Sequence, residues 1–428
     1  MKNINISLKE YEITKSKEEA LKLEWYNKNK YLNSKDIDEV KKINTLSWIQ
    51  IFEIKPDNRI KAKQYVWIMK INNKNIQILP KIFWDKNEDI LKNLLYMLSY
   101  TKKLKIKESD IASLWKINDL FEIFIYIFSK ELIELLKKDF KKNYSLIEEN
   151  SGFLKWKLLF SKHIKNNLFN KSKFFIEYEN MDENILLNLF LKSICQKLLK
   201  QTKSKTNYKL LKKCDFILKD IDYKIFKTPK ELNRLNFNRQ NKKYKNIFSL
   251  WKMLYFWNSP DFSQNIEDNF SILFDMNILF EEFIVEFMKK NKNKINKDLL
   301  SVNSQLSNKY VFINNKFNLR PDIILNYKDN KKIIIDTKYK KIINEKNKNY
   351  WVSSWDIYQM FMYWMRYFEN NDDKKIILLY PEYFEKIEWE YISEENINIF
   401  IKTINMNFNL SWKEWKDKLV NQMLNFCY

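Results

Sequence analysis

The chain has 428 residues, of which 45% are hydrophobic and 16% aromatic, enough for two or three buried cores and too apolar for a disordered protein. Lys and Arg number 77 against 54 Asp and Glu, a net charge of +23. Such a charge favours polyanionic partners. An AT-rich genome also raises lysine content, so the charge alone does not establish nucleic-acid binding.

The residue types that are scarce exclude several kinds of chemistry. Cys195, Cys214 and Cys427 are too few and too scattered for a disulfide framework or a zinc site. His163 is the single histidine, which argues against histidine-ligated metals and a Ser-His-Asp triad, and we interpret it as structural. The longest apolar run, 120–136, contains four charged residues, so we predict a soluble cytoplasmic protein without a membrane span.

The glycine and tryptophan contents are both unusual. The chain has one glycine, Gly152, and 14 tryptophans, whereas roughly 30 glycines are typical of this length. Trp84 and Trp257 stand in turn-like dipeptides, and Trp364 interrupts a helical pattern where a small residue would pack. Some bacterial lineages read UGA as glycine, so we hypothesise that many of these positions are glycine in the native protein.

The amino-terminal stretch has the pattern of β-strands. Residues 3–13 and 51–54 alternate between apolar and polar. Residues 64–71 and 75–79 flank an Asn-Asn-Lys turn and predict a hairpin. We therefore predict a β-rich domain over residues 1–85.

The middle of the chain, residues 86–260, is predicted to be mostly helical. Apolar residues recur at helical spacing, most clearly in 120–136 and 185–199, while 155–164 and 174–178 are ambiguous. Three basic runs mark this region, and such runs are more often solvated surfaces than DNA contacts: 102–107, 203–213 and 239–245.

Beyond Pro260 the pattern changes to mixed helix and strand, which predicts a third domain over residues 261–428. A helix over 356–368 is predicted to be capped by Ser354 or Asp356. The other predicted elements are a helix over 277–290 and strands over 299–306, 318–326, 332–339 and 375–380.

Two carboxylates and a lysine mark a candidate active site in this third domain. Asp322 opens one predicted strand, and Asp336 and Lys338 end the next. Because side chains alternate along a strand, Asp336 and Lys338 share a face, and a hairpin brings Asp322 to them. Two carboxylates suit Mg²⁺ near a phosphodiester, with Lys338 orienting the attacking water. The simpler alternative is a surface ion pair between Asp336 and Lys338.

Three further side chains are candidates for supporting this site. Gln359 and Tyr363 stand four residues apart on the following helix and so share a face, although Gln359 could instead serve within a buried aromatic helix. Glu281, on the helix before the strands, could reach the site as another ligand. A solvated acidic surface explains Glu281 nearly as well.

These residues resemble the PD-(D/E)xK nuclease superfamily and, more closely, the McrC family, the nuclease subunits of McrBC-type modification-dependent restriction systems. The resemblance spans most of the chain in the right order. Trp67, Trp156 and Trp364 fall where that family is expected to have glycine. The matching segments are 66–67, 76–81, 274–281, 319–322, 335–339, 356–359 with Tyr363, and 379–381.

The resemblance implies a fold and a set of roles. The fold is α+β and multidomain, with a β-rich amino-terminal domain, a helical middle and a restriction-endonuclease-like α/β core around a mixed central sheet. Asp322 and Asp336 would bind Mg²⁺, Lys338 would assist the attacking water and Gln359 would support them. The partner would be a McrB-like AAA+ GTPase that binds GTP and recognises modified duplex DNA, and residues 1–85 would dock on it.

Two other functions stay open from the sequence. A nuclease of the same superfamily could act alone in repair or recombination, without GTP or a partner. A non-catalytic adaptor could dock on a ring ATPase and on DNA. Intact Asp322, Asp336 and Lys338 favour an enzyme over the adaptor.

Overall fold

The fold was obtained as a computed structural model, which describes residues 4–427 apart from internal gaps. The gaps are 17, 20–30, 47–49, 73, 83–86, 102–105, 107–109, 111–112, 115–116, 118, 139, 238, 240–241, 257–273, 313, 369–372 and 407–411. Trp84 and Trp257, and the boundary predicted at residue 260, lie outside the described residues.

The chain forms two compact units. One joins Met1–Ile123 to Ile266–Tyr428 and is called the discontinuous unit, and the other, Phe124–Asn265, is called the inserted unit. The predicted three domains, 1–85, 86–260 and 261–428, stay a prediction. Contacts within the discontinuous unit place the first and third of them in the same compact body.

A four-stranded sheet dominates the amino-terminal segment of the discontinuous unit. The predicted hairpin is present as an antiparallel pair of strands, and Asn72 in its turn has a φ of 51°, which asparagine tolerates. The elements are β1 (Ile4–Lys9), α1 (Ser34–Leu46), β2 (Phe52–Ile54), β3 (Ile60–Ala62), β4 (Tyr65–Ile71), β5 (Lys74–Leu79) and α2 (Asn87–Tyr100).

This sheet also includes a strand from the far end of the chain. β1 runs parallel to β5, and β4 pairs with β9 (Phe274–Asp275), so the order is β1-β5-β4-β9. A two-residue strand has too few residues to show a period. The sequence therefore could not predict that residues beyond 261 complete the amino-terminal sheet.

The inserted unit contains a sheet as well as helices, and two of its strands cover parts of the segments 155–164 and 174–178 that the sequence left ambiguous within a mostly helical middle. Its sheet is antiparallel, in the order β6-β8-β7. β6 carries polar residues on both faces, which hides the alternation expected of a strand. The elements are α3 (Leu120–Lys138, shared with the other unit), β6 (Asn143–Ser151), β7 (Lys157–Leu158), α4 (Phe160–Asn167), β8 (Phe174–Asp182), α5 (Leu186–Gln201), α6 (Lys205–Ile217), a 3-10 helix (Pro229–Arg234) and α7 (Lys242–Phe256).

A six-stranded mixed sheet forms the centre of the carboxy-terminal segment, in agreement with the predicted α+β class. Its order is β10-β13-β14-β15-β17-β16; the three middle neighbours β14, β15 and β17 run parallel, and the other pairs are antiparallel. The elements are β9, α8 (Met276–Ile295), β10 (Leu299–Ser304), β11 (Lys309–Tyr310), β12 (Asn318–Leu319), β13 (Ile323–Tyr327), β14 (Lys331–Thr337), a 3-10 helix (Lys346–Trp351), α9 (Ser354–Tyr367), β15 (Asp373–Pro381), β16 (Glu388–Ile392), β17 (Asn398–Ile404) and α10 (Trp412–Cys427).

Two predicted boundaries in this segment were wrong. The strand predicted over 318–326 is broken into β12 and β13 around Pro321, which has no N–H to donate to a sheet. The cap predicted at Ser354 or Asp356 is instead at Ser353, whose side chain makes no capping hydrogen bond. The Asp356 carboxylate lies inside the first turn. It accepts hydrogen bonds from Lys340 Nζ at 2.7 and 2.9 Å and from Tyr380 Oη at 3.2 Å.

The helix that carries Gln359 and Tyr363, α9, is held by packing on the mixed sheet. α9 packs Met360, Tyr363 and Tyr367 into a cluster with buried residues of the sheet. Elsewhere in the unit, Tyr96 of α2 stacks on Trp415 of α10 with ring centroids 4.7 Å apart. Of the helices in the described part of the chain, none has the length and apolarity needed to cross a bilayer.

Candidate active site

The β13–β14 hairpin brings the two predicted carboxylates to the same end of the sheet. Ile323 pairs with Ile335 in this antiparallel hairpin, so Asp322, just before β13, lies opposite Asp336 near the end of β14. β14 is a central strand, since β13 and β15 pair with it on either side, and Ile333–Ile335 are fully buried. The hairpin predicted from the spacing of the two aspartates is therefore present.

Asp336 is a buried carboxylate with one cation beside it. Its side chain is 1% exposed and forms an ion pair with Lys338 Nζ. Apart from that ammonium group, neither carboxylate oxygen has a hydrogen-bond partner among the described residues. Burial raises the pKa of Asp336 to about 7, with a further contribution from the negative charge of Asp322.

Asp322 is held in place by the residue that follows Asp336. Its Oδ2 accepts hydrogen bonds from Thr337 N at 2.7 Å and from Thr337 Oγ1 at 2.8 Å. Burial raises the pKa of Asp322, and these two hydrogen bonds oppose that rise. One carboxylate oxygen of Asp322 is thus anchored to β14, while the negative charge stays close to Asp336.

Lys338 lies between the carboxylates and the predicted supporting helix. Its ammonium group contacts Asp336 and donates to Gln359 Oε1 at 3.1 Å. Burial lowers the pKa of Lys338, but the attraction of Asp336 and then of Asp322 outweighs it, so the pKa is raised. Lys338 therefore stays a cation at neutral pH.

Gln359 and Tyr363 extend this contact into a chain of hydrogen bonds. Gln359 Nε2 donates to Tyr363 Oη at 2.7 Å, and Tyr363 Oη donates to the carbonyl of Arg320 at 3.0 Å. Gln359 and Tyr363 share the face of α9 that the sequence predicted. The chain of bonds ends two residues before Asp322, so it connects the lysine to the strand entrance that carries the first carboxylate.

Glu281 lies near the carboxylate pair rather than on a separate acidic surface. Burial raises the pKa of Glu281, and the charge of Asp322 adds to that rise. Glu281 accepts a hydrogen bond from Gln305, whose Oε1 in turn accepts one from Arg320 at 2.6 Å. The structure thus brings all six predicted site residues to one region.

Three of the contacts that shape this region were not predicted. Thr337 anchors Asp322, Gln305 holds Glu281, and the Arg320 carbonyl ends the hydrogen-bond chain. Backbone groups and small polar side chains of this kind carry no pattern in sequence, since their role depends on which strands pair. His163, by contrast, accepts a hydrogen bond from Phe175 N at 3.3 Å, which agrees with its structural interpretation.

The donor set fits a hard divalent cation that binds few protein ligands. Among the described residues, no group of three or more His, Cys, Asp or Glu side chains is arranged to hold a metal. The buried Asp336 carboxylate, with only Lys338 beside it, is nevertheless costly unless a further cation accompanies it. Mg²⁺ is commonly bound by one or two carboxylates together with water and substrate phosphate, and Asp322 and Asp336 supply such a pair.

The class of protein follows from comparison with known families. A family model described as "McrBC 5-methylcytosine restriction system component" matches residues 60–381, which include both carboxylates, Lys338 and α9. The chain is therefore a component of an McrBC-type restriction system. It belongs to the McrBC family.

Individual relatives agree with this assignment. The Type IV methyl-directed restriction enzyme EcoKMcrBC of Escherichia coli strain K12 is 22% identical over 351 residues, which are 76% of this chain and 93% of that protein. A chain from the Thermococcus gammatolerans assembly of McrB AAA+ hexamers with bound McrC matches with a TM-score of 0.69 and 22% identity, covering 99% of this chain and 100% of its own.

A second solved structure is similar over a smaller part of the fold. A chain of the Thermococcus gammatolerans McrBC complex, solved by cryo-EM, matches with a TM-score of 0.50 and 24% identity. It covers 67% of this chain and 88% of its own. At these identities the two structures establish the fold.

Proposed function

We propose that this chain is the Mg²⁺-dependent endonuclease subunit of a GTP-dependent restriction system, and that it cuts duplex DNA carrying modified bases. The observation that carries the proposal is the arrangement of Asp322, Asp336 and Lys338 at one end of the mixed sheet, with Asp336 buried beside a single cation. The simpler alternative of a surface ion pair does not fit this arrangement, because surface pairs are solvated whereas the Asp336 side chain is buried. The membership in the McrBC family supports the same reaction class.

The protein's own residues supply orientation and charge in this reaction. Lys338 keeps its proton, so it can orient a water molecule by donating to it and can stabilise negative charge that develops on the phosphodiester. Gln359 and Tyr363 restrict where the Lys338 ammonium can lie, because each bond of their chain has a fixed partner. Such preorganisation lowers the activation barrier without adding a new contact to the substrate.

Asp322 and Asp336 would hold the metal ion, with Thr337 keeping Asp322 in register. Glu281 could contribute a further oxygen through its place beside Asp322. When bound, Mg²⁺ supplies Lewis-acid polarisation of the phosphodiester and lowers the pKa of a coordinated water. Its positive charge would also offset the cost of keeping Asp336 ionised in the interior.

We further propose a McrB-like AAA+ GTPase as the partner, which would bind GTP and recognise the modified DNA while this chain stimulates GTP hydrolysis. The support is the likeness of the fold to a chain from an assembly of McrB AAA+ hexamers with bound McrC. Residues 1–85 are proposed to dock on that partner, and both proteins to work in the cytoplasm. β1 lies at an edge of its sheet, a position from which strands commonly pair with other chains.

A cleavage assay with the intact chain tests the proposal. Duplex DNA containing 5-methylcytosine is incubated with Mg²⁺, with and without the partner and GTP, using the wild type and Asp336→Asn. This change removes the charge of Asp336 but keeps its volume. We expect cleavage only with partner and GTP, and a loss of at least about 100-fold in the variant, the scale set by removing one electrostatic contributor.

Asp298→Asn is the matched control. Asp298 pairs with Lys328 near the surface of the same unit, so its replacement should leave cleavage unchanged. Partner-free cleavage would indicate a nuclease that acts alone. Absence of cleavage together with stimulated GTP hydrolysis would indicate an adaptor, and either result would contradict the proposal.

A further inference from the structure

Tyr339 is the residue directly after Lys338, and it is buried. The Tyr339 side chain is 2% exposed. Its ring lies 5.8 Å from that of Phe280, measured between centroids, and Phe280 precedes Glu281 on α8. Tyr339 therefore connects the strand end that carries Lys338 to the helix that carries Glu281.

Two residues from the amino-terminal sheet close around Tyr339. Glu10 and Lys81 follow the parallel strands β1 and β5, and Lys81 N donates to Glu10 Oε2 at 3.0 Å. Lys81 Nζ lies 5.0 Å from the Tyr339 ring centroid and 4.4 Å from that of Tyr11. Burial and then the charge of Glu10 raise the pKa of Tyr339, although neither Tyr339 Oη nor Glu10 Oε1 has a hydrogen-bond partner among the described residues.

Stability is a poor explanation for the burial of Glu10 and Lys81 beside Tyr339. Glu10 is 3% exposed, and burial raises its pKa to about 7 against the attraction of Lys81. Burial also lowers the pKa of Lys81. Glu10 Oε1 has no hydrogen-bond partner among the described residues, and a buried carboxyl group left partly unpaired costs stability. The other charged groups that face the pair are Asp275, Lys340 and Lys341.

We propose that Glu10 and Lys81 are positioning residues that hold Tyr339 and thereby place Lys338 for the reaction. This inference rests on the proposed nuclease function. It gives the amino-terminal sheet a part in the cleavage step itself, in addition to docking.

The physical link runs through the backbone of residues 338–339. Lys338 N donates to Leu379 O of β15 at 2.9 Å, which fixes the backbone on one side of the lysine, while the buried Tyr339 fixes it on the other. With Tyr339 held, the Lys338 side chain stays directed at Asp336 and Gln359. Without that hold, a displacement of about 1 Å at the lysine is enough to slow a reaction up to about 100-fold.

The experiment compares Glu10→Ala, Glu10→Gln and Tyr339→Phe with Tyr391→Phe as control. Glu10→Gln keeps an acceptor for Lys81 N and a polar group beside Tyr339, so it should restore most of the activity that Glu10→Ala loses. Tyr339→Phe removes only the hydroxyl group and should stay folded. Tyr391 lies on β16, the edge strand at the other end of the mixed sheet.

Two measurements separate positioning from simple stability. In the complete complex, Glu10→Ala and Tyr339→Phe should lower kcat about tenfold or more, with KM for DNA and the stimulation of GTP hydrolysis unchanged. In the chain alone, without Mg²⁺, the Lys338 amine is labelled chemically across a pH series and quantified by peptide mass spectrometry. Its labelling midpoint should fall towards that of an ordinary lysine as the ammonium group leaves Asp336.

Two results would overturn the inference. Lys338 labelling and kcat like wild type in both Glu10→Ala and Tyr339→Phe would overturn the inference. So would equal losses of melting temperature, GTPase stimulation and cleavage with Lys338 labelling unchanged. If the wild type does not cut DNA at all, the proposed function fails, and the labelling midpoint alone then decides whether Glu10 positions Lys338.

Discussion

Asp336 couples the folding of the protein to pH through its buried carboxyl group. Its pKa of about 7 in the folded chain lies above the value of an exposed aspartate. The folded state therefore holds a proton that the unfolded state has already released between about pH 4 and pH 7. Between about pH 4 and pH 7 the contribution of Asp336 to the free energy of unfolding therefore falls as the pH rises. Above about pH 7 that contribution is constant.

We accordingly expect the Mg²⁺-free wild type to melt at a lower temperature as the pH is raised from 5 to 8. Asp336 can contribute at most about 1.4 kcal/mol per pH unit. Asp336→Asn should show a shallower slope, and the remainder belongs to groups such as Glu10, whose pKa is also raised to about 7. Adding Mg²⁺ should stabilise the wild type most at the higher pH, because the metal competes with the proton.

Differential scanning calorimetry of both proteins with Mg²⁺ or with EDTA checks this expectation. Asp298→Asn serves again as control, since Asp298 pairs at the surface. The melting temperature of this variant should depend on pH as that of the wild type does. A wild type and an Asp336→Asn variant with the same slope would mean that Asp336 titrates as an ordinary aspartate.

Helix α9 contributes to the site through the face that carries Gln359 and Tyr363. Tyr363→Phe removes the hydroxyl that accepts from Gln359 and donates to the Arg320 carbonyl, while the ring stays in the core. The lost hydrogen bond is worth about 1 kcal/mol, so kcat should fall about fivefold to tenfold with KM unchanged.

Tyr367→Phe is the matched control on the same helix. The Tyr367 hydroxyl lies 2.9 Å from Leu306 O and 2.8 Å from Leu319 O, and none of these contacts includes Lys338. Single-turnover cleavage of both variants in the complete complex measures the difference. An equal loss of rate in the two variants would indicate general loosening of α9 instead of a specific chain to Lys338.

At the scale of single elements, several strands and helices with one apolar face were predicted from the sequence, whereas α1, β17 and α10 were not, although each carries buried apolar residues. The β4–β5 hairpin, α8, β14 and α9 are among the predicted elements. The predicted proximity of Asp322, Asp336 and Lys338 followed from the strand period together with the hairpin between the two strands. β6 was missed because both of its faces are polar. The cap of α9 was misplaced because Asp356 uses its carboxylate for Lys340 and Tyr380 instead of for backbone N–H groups.

Contacts between distant parts of the chain were beyond prediction from one sequence. The pairing of β4 with β9 joins residues about 200 positions apart, and the cost of closing such a loop leaves no trace in local composition. The cluster of Glu10, Lys81 and Tyr339 depends on the same long-range association. The predicted roles of the six site residues stay predictions until the assays above are done.

The glycine content of the whole molecule leads to a chemical prediction about the native chain. In the described structure, twelve residues other than glycine have positive φ, and two of them are tryptophans, Trp156 and Trp351. Half of the twelve are asparagine, which tolerates this region, whereas a bulky side chain there costs about 1–3 kcal/mol. Trp156 is also 78% exposed, so no packing compensates for the strain.

We expect peptides from the native protein to carry the mass of glycine at residues 156 and 351. The same mass at 67, 84 and 364 would support reading of UGA as glycine throughout the chain. Trp67 lies in β4 and Trp364 in α9, where the backbone is regular, so these positions test the decoding rather than local strain. Tryptophan mass at all five positions in tandem mass spectra would rule the hypothesis out.

The discontinuous unit has a consequence for how the protein is made on the ribosome. Residues Phe124–Asn265 are synthesised between the two segments of that unit. β9, which pairs with β4, is synthesised only after them. Synthesis proceeds from the amino terminus, and units generally fold as their residues become available. Glu10 and Lys81 are synthesised before the inserted unit and Tyr339 after it, so the cluster that these three residues form can assemble only once the inserted unit has been translated. A truncated product that stops within Phe124–Asn265 would lack Asp322, Asp336 and Lys338 altogether, so it would carry the amino-terminal sheet without any part of the candidate site.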